Sequence, residues 1–414
     1  MDFFRRNTSP WYWGYSFQGL VILGFLPILL PLFAAEELSP SRVGVVVAAV
    51  YAGQLTAPLL GSLAEKWKCY GLFFLGGYFL IGLGFLGFVL YTSLTLWVLQ
   101  SLLIGIGSGA TNTIGGVYIV EYFPKDSWDR RIGWMQTFYG AGQAIGVFGM
   151  TALSKVPSKA MVLCAAVMLP GFLFSYWTIP SSPKSSQAKS PPGHSVVRHS
   201  LSAGHHYHSI SWDTFTLWVK KWDSLFTLYL LSWFLMMLGT FMIYNLYPLL
   251  MKSSFRLQPE LSSLFFAIGA TLGVVFYPLS GILAKKIGDN RVLLFGYFLT
   301  LASVLLLSFC AYIDLPWIWT TLIVALAVIL LTVAWSPLIV AGTAETANLA
   351  IVEEGEALGL FNATTAIASI LAAVLAGQIA EKVSYNAVAA AACFIVIASQ
   401  ILFLPLLRRK KESP

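Results

Sequence analysis

The chain has 414 residues, 57% of them hydrophobic and only 10% charged, and a net charge of +7. Its mean hydropathy of +0.76 excludes an ordinary water-soluble domain or metabolic enzyme: such chains carry about 25% charged residues, and this one would expose more apolar surface in water than its polar groups could cover. The basic excess lies in short loops between apolar runs, which argues against a nucleic-acid surface.

The first apolar run, at about 11–35, follows Met1-Asp2-Phe3-Phe4-Arg5-Arg6 and contains no small-residue cleavage site, so it reads as a retained span and not a signal peptide. Further runs follow at about 41–63, 71–91, 94–120, 132–154 and 160–180, then at 225–250, 260–284, 292–313, 316–342, 357–380 and 384–407. Each reaches the ~20 residues that a helix needs to cross a hydrocarbon core. Between the two sets, 181–210 is rich in Ser, Pro and His and has nothing to bury against its ordering entropy, so it reads as a disordered linker. Trp212, Phe215, Trp218, Val219 and Trp222 then recur at helical spacing, with Asp213 near the start and Lys220 and Lys221 near the end. That pattern predicts an amphipathic helix in the membrane interface; the alternative is an early start to the seventh span. The expected fold is an all-α membrane protein of twelve transmembrane helices in two pseudo-symmetric six-helix bundles, 1–180 and 223–414, joined by a cytoplasmic linker at 181–222.

Cys164, Cys310 and Cys393 fall inside apolar runs and Cys69 in a basic loop, so neither a disulfide framework nor a metal spacing follows. All five histidines (His194, His199, His205, His206 and His208) lie in the linker, where a flexible loop is the plainer reading than a metal site. No cofactor is expected.

An internal repeat is the most specific signal. Offset by 220 residues, Pro58, Leu59, Gly61, Leu63, Ala64 and Lys66 match Pro278, Leu279, Gly281, Leu283, Ala284 and Lys286. Two six-helix halves in parallel orientation are implied, one of the recognised transporter plans. Here the sequence resembles the major facilitator superfamily, whose loop between the second and third helices carries a Gly-x-Leu-Ala-Asp-Arg-x-Gly-Arg pattern, weakly repeated between the eighth and ninth. This chain reads Gly61-Ser62-Leu63-Ala64-Glu65-Lys66-Trp67-Lys68 and Gly281-Ile282-Leu283-Ala284-Lys285-Lys286-Ile287-Gly288. The resemblance extends over the whole chain through helix count, linker and both loops, and implies a transporter without naming its cargo.

Gly61 and Gly281 would let neighbouring helices approach closely. Glu65, Lys66, Glu121 and Arg130 would meet at inner helix ends, if the resemblance holds, and pair when the cavity faces outward; plain topogenic charge is the alternative. Lys286 and Glu345 occupy the corresponding places in the second half, where Lys285 stands in place of an acid and weakens the case for a matching lock. Two departures weaken a drug/proton antiporter. Ser101 replaces the Arg that many members carry four residues before Gly105-Ile106-Gly107, and Gly140-Ala141-Gly142-Gln143-Ala144-Ile145-Gly146 replaces a Gly-Pro in the fifth helix.

No ionisable residue falls near a span centre, where it would be costly and by default functional. The polar groups at membrane depth are neutral: Gln54, Asn112, Gln136, Gln143, Asn245, Asn362, Thr365 and Ser369. The fifth and eleventh spans repeat at an offset of 226, pairing Gly133 with Gly359, Gln136 with Asn362 and Gln143 with Ser369. Spacing of seven puts each pair on one helix face, and such a face in lipid would leave unmet hydrogen bonds. It is expected to line a central cavity or to bond another helix. Tyr139, Tyr244 and Trp335 lie near the same depth and would stack an uncharged ring or sugar, or pack in the core.

The leading expectation is a monomeric secondary transporter that moves a small neutral or amphipathic organic solute by alternating access, with a coupling proton left open. A lipid or glycolipid flippase and a drug efflux antiporter of the same fold are the alternatives within transport, and a non-transporting receptor is the alternative outside it. Nineteen of the twenty-five Lys and Arg residues fall on one side if the N-terminus is cytoplasmic, so both ends are expected there, in a plasma or inner membrane. Tags at either end and a cysteine placed within 185–205 should therefore react only from the cytoplasmic side; labelling of that cysteine from outside would reverse the topology.

Overall fold

A computed structural model of the chain describes residues 8–123, 128–179, 224–351 and 354–408, and its regular structure is helical throughout. The linker, its histidines and the amphipathic segment at 212–222 lie outside the described residues. In chain order the helices are α1 (Tyr12–Ala34), α2 (Pro40–Gln54 continuing as Ala57–Trp67), α3 (Tyr70–Leu90), α4 (Leu94–Tyr122), α5 (Trp128–Leu153) and α6 (Pro157–Thr178). The second set is α7 (Leu225–Asn245 continuing as Tyr247–Phe255), α8 (Pro259–Ile287), α9 (Asp289–Tyr312), α10 (Trp317–Leu349), α11 (Glu354–Lys382) and α12 (Tyr385–Arg408).

Among the described residues, eleven helices are long and apolar enough to cross a membrane. The helix that falls short of the twelve expected from the sequence is α5. It spans 26 residues, but its apolar content is diluted by Gly133, Gly140, Gly142, Gly146 and Gly149 and by Gln136 and Gln143. Lipid contact does not hold α5 in place; close packing does. A Cβ at Gly142 would strike the Ser16 carbonyl, one at Gly146 the Leu20 carbonyl, and one at Gly19 the Tyr139 carbonyl, so α1 and α5 touch backbone to backbone. Gly53 of α2 and Gly105 of α4 make the same kind of approach.

Prolines decide where helices start and where they break. Pro40, Pro157 and Pro259 open α2, α6 and α8, where the missing N–H costs nothing. Pro58 cannot donate to the Gln54 carbonyl, and α2 is interrupted at Leu55–Thr56. In α7, Pro248 cannot serve the Tyr244 carbonyl, and the helix breaks after Asn245. In α1, Pro27 leaves the Leu23 carbonyl unserved and Leu20–Phe25 widens into a π-helical turn.

α1–α6 pack against one another, as do α7–α12, and the halves meet where α2 lies on α11 and α5 on α8. These contacts concentrate at the end of the bundle opposite the termini, called the far end below. There a Cβ at Gly377 would lie 2.5 Å from the Pro40 carbonyl, and one at Gly44 would strike the Ala373 carbonyl. Gly359 lies on the same stripe of α11 as Gly377, five turns or about 27 Å nearer the terminal end, and a Cβ there meets nothing within 4 Å. The second seam behaves alike: a Cβ at Gly140 of α5 lies 3.7 Å from Val274 of α8, whereas Gly133 and Gly281, each seven residues nearer the terminal end, face open space. The halves are therefore closed at the far end and parted at the terminal end, with a cleft between them. Substituting Ala for Gly142 should destabilise the protein by about 1–3 kcal/mol through overpacking, while Ala at Gly116, where a Cβ meets nothing within 4 Å, should be neutral. Melting curves of the two variants in detergent check this; equal melting temperatures would refute the backbone contact.

Candidate cleft site between the halves

The polar residues expected at membrane depth separate into two groups. In the first half, Asn112 of α4 accepts on Oδ1 from the Tyr15 hydroxyl at 2.8 Å and from Gln18 Nε2 at 3.1 Å, both from α1. Tyr15 stacks on Tyr139 of α5 with centroids 4.7 Å apart, and Gln136 stands beside the Tyr15 hydroxyl. Asn112 and Gln136 are exposed, and Gln136 lies between Gly133 and Gly140 on the stripe of α5 that faces the other half. The cluster thus opens into the cleft. One turn beyond Tyr139, Gln143 is half-buried, and its side chain makes no hydrogen bond among the described residues.

The second group sits at the seam. Asn245 is 3% exposed; its Oδ1 accepts from the Tyr51 hydroxyl of α2 at 2.9 Å and its Nδ2 donates to the Ser369 carbonyl of α11 at 3.1 Å. Both ends of this amide are in use, so Asn245 fastens the halves together and does not face the cleft as a free ligand. Around it Phe241 packs on Tyr51 at 5.7 Å and on Trp335 edge-on at 5.9 Å, and Tyr244 donates to the Leu331 carbonyl. Trp335 is half-buried in that aromatic wall. Gln54, the last residue before the break in α2, donates to Ser108 of α4 at 3.1 Å and so bonds within its own half. Asn362 of α11 is exposed, and Thr365 beside it accepts from Trp233 Nε1 at 2.8 Å.

The side chains of Glu65, Glu121 and Arg130 lie outside the described set. Lys66 and Lys286 are exposed and form no ion pair among the described residues. Gly61 packs on Thr113, its Cβ position 3.0 Å from Cγ2, but Gly281 has nothing within 4 Å; the close approach expected of both is made by the first alone, because the second faces the parted end. Glu345 is 4% exposed and, with the Asn290 amide turned to satisfy both groups, accepts two bonds at 2.7 Å, tying α10 to α9 inside the second half. Charge bridges the halves at the far end, where Lys155 pairs with Glu260 at 3.3 Å and the Ser41 N–H donates to Glu381 at 2.9 Å.

Tyr15, Gln18 and Tyr51 carry the site yet were not singled out in the sequence. Tyr51 lies one turn before Gln54, and Tyr15 and Gln18 lie just before the π-helical turn of α1, but tyrosine and glutamine on an apolar helix have no periodicity that separates a cleft face from a packed one. The four cysteines are free, and no group of three His, Cys, Asp or Glu residues that could hold a metal occurs among the described residues.

The family model of the Major Facilitator Superfamily matches residues 12–352. The chain belongs to the Major Facilitator Superfamily. It is a multi-pass membrane protein with the fold and family of transporters. Two crystal structures of the nucleoside transporter NupG superpose with TM-scores of 0.73 and 0.71 at 15% and 16% identity, covering 95% and 98% of this chain and 99% and 98% of theirs. A D-xylose-proton symporter superposes with a TM-score of 0.70 at 16% identity, covering 95% of both chains. An uncharacterized MFS-type transporter of Bacillus subtilis (strain 168), YfkF, is 25% identical over 186 residues, 45% of this chain and 46% of that protein, so the match spans about half of its length.

Removing only the hydroxyl of Tyr51 isolates the bond across the seam. Tyr51→Phe leaves Asn245 Oδ1 without its donor and should weaken far-end closure by about 1–3 kcal/mol. Labelling of a cysteine placed at Ser41 should rise several-fold; unchanged labelling would mean that packing alone holds the halves shut.

Proposed function

We propose that this superfamily member is a secondary transporter of a small, neutral, ring-bearing solute, working by alternating access and standing here with its cleft open to the cytoplasm. The observation that carries the reading is the Tyr15–Gln18–Asn112–Gln136 cluster, which exposes Asn112 and Gln136 on one wall of a cleft closed at its far end. Amides and tyrosines supply hydrogen bonds without fixed charge, and an aromatic wall of Phe241, Tyr244 and Trp335 stands near the seam, which suits an uncharged solute with an apolar face. Cytoplasmic opening follows from the basic residues, which put both termini on that side.

In the apolar spans every Asp, Glu, Lys and Arg lies within four residues of an end. An ionic cargo would find no counter-charge at mid-depth, where a charge is costly. The proteins that share the fold are a nucleoside transporter and a D-xylose-proton symporter, whose substrates are neutral ring compounds, which agrees with this substrate class. Gln143 belongs to the site on the same reasoning: an interhelical tie needs a partner, and its amide has none among the described residues.

The test is uptake into proteoliposomes of a panel of neutral nucleosides and sugars beside organic anions and cations, with and without a pH gradient. Saturable uptake confined to neutral compounds is expected, and a gradient effect would identify a coupling proton. Saturable binding with no uptake would favour a receptor, and preference for a charged cargo would sink the substrate class. On the same preparation Gln143→Ala should weaken solute binding by about 1–3 kcal/mol and leave the melting temperature of the empty protein unchanged. A lowered melting temperature with intact binding would make Gln143 structural.

A further inference from the structure

One amide on the cleft wall has a fixed polarity. Asn112 Oδ1 accepts from Tyr15 at 2.8 Å and from Gln18 at 3.1 Å. An amide oxygen has two lone pairs, so these donors fill it; the amide also bonds the Tyr139 hydroxyl, and of the two Nδ2 hydrogens one remains for the cleft. Gln18 is fully buried whereas Asn112 is exposed, so the first acts as a fixed support and the second as the surface that a solute meets.

The opposite orientation of the two amides can be weighed. As placed, the buried atom left without a partner is Gln18 Oε1. Turning both amides would bring Gln18 Oε1 against Asn112 Nδ2 and strand Gln18 Nε2 instead. An orphaned buried N–H is rarer and costlier than an under-satisfied carbonyl, so the placed orientation is the stable one. The glycines of α1 and α5 reinforce it. Gly19 and Gly142 bring the two backbones into contact beside Gln18 and Tyr139, so Tyr15 has little room to move, wedged between its stacking partner and Asn112.

We infer that Asn112 is a specificity-determining residue that presents a fixed N–H donor to the cleft, and that the preferred solute sets an acceptor oxygen (carbonyl, ring ether or hydroxyl) against it. Gln136, exposed on the neighbouring helix beside the Tyr15 hydroxyl, can turn to suit either polarity; Asn112, held at its oxygen by two donors, does not. This rests on the cleft being the transport site, and deepens that reading from a neutral solute to one with an acceptor at a defined position.

Two measurements on the full-length protein test it. The first needs no solute. Asn112→Asp retains an oxygen that accepts from Tyr15 and Gln18, so even with its added charge it should melt above Asn112→Leu, which loses both bonds. If Asn112→Asp melts as low as Asn112→Leu, the amide is donating to Gln18 and the proposal is overturned. The second measures proteoliposome uptake of uridine and of D-xylose. Asn112→Asp replaces the free donor by an acceptor, and should raise the KM of whichever probe the parent carries at least tenfold with little change in maximal rate. Parental KM in Asn112→Asp would overturn the donor role even if the melting curves agree. Failure of the parent to carry either probe counts against the proposed substrate class, and the melting comparison then still decides the polarity of Asn112.

Discussion

A backbone N–H or carbonyl has no water to turn to in the hydrocarbon core, so the chain must satisfy these groups within its helices or against a neighbour. Every irregularity at membrane depth traces to that constraint meeting a proline. Pro58 interrupts α2 beside Gln54, Pro248 interrupts α7 beside Asn245, and Pro27 widens α1 just after Gln18 and Gly19. Lipid would not tolerate the freed carbonyls, and so each break is turned toward other helices or toward the cleft. Polar side chains sit at the same levels for the same reason.

The same constraint explains the glycines. Helices in a membrane gain little from apolar burial against each other, because lipid is equally apolar; close van der Waals contact and hydrogen bonds bring them together instead. α1 and α5 are fused by Gly19, Gly142 and Gly146, and α2 and α4 by Gly53 and Gly105, so each half holds its shape. Between the halves the backbones touch at Gly44 and Gly377, Phe241 packs on Tyr51, and polar ties run from Tyr51 to Asn245, Ser41 to Glu381, and Lys155 to Glu260. Exposed ion pairs are worth at most about 1 kcal/mol. A seam with so few polar ties and one parted end is what the proposed alternating-access cycle needs if a solute is to shift its equilibrium.

Asymmetry between the halves has functional weight. The repeat places Gln136 opposite Asn362 and Gln143 opposite Ser369, yet the roles have diverged. In the first half the amides cluster around Asn112 and open into the cleft. In the second half the Ser369 carbonyl is spent on Asn245 and the Thr365 hydroxyl on Trp233. On the proposed function, solute recognition falls mainly to the first half, while the second contributes aromatic surface and the closure bond, and changes at Asn112 and Asn245 would affect different steps of the cycle.

The sequence by itself determined the class of the molecule, because apolar runs of membrane-spanning length, a polar divide at 181–210 and the 220-residue repeat are local or periodic properties that need no third dimension. It also determined that any site at depth must be uncharged, since the charges of the spans lie at their ends. Tertiary structure decided which neutral groups face the cleft. Gln54 and Asn245 look alike on paper to Asn112 and Gln136, but the first two are half-buried or buried against neighbouring helices, whereas the last two, though bonded to α1, are exposed in the cleft. It likewise brought in Tyr15, Gln18 and Tyr51, and it decided that α5, the helix least apolar along the chain, is held by backbone contact with α1. The physical reason is that a hydrogen bond depends on separations of about 3 Å between residues far apart in sequence. Composition and spacing fix which groups need partners, and only packing fixes which of them find one.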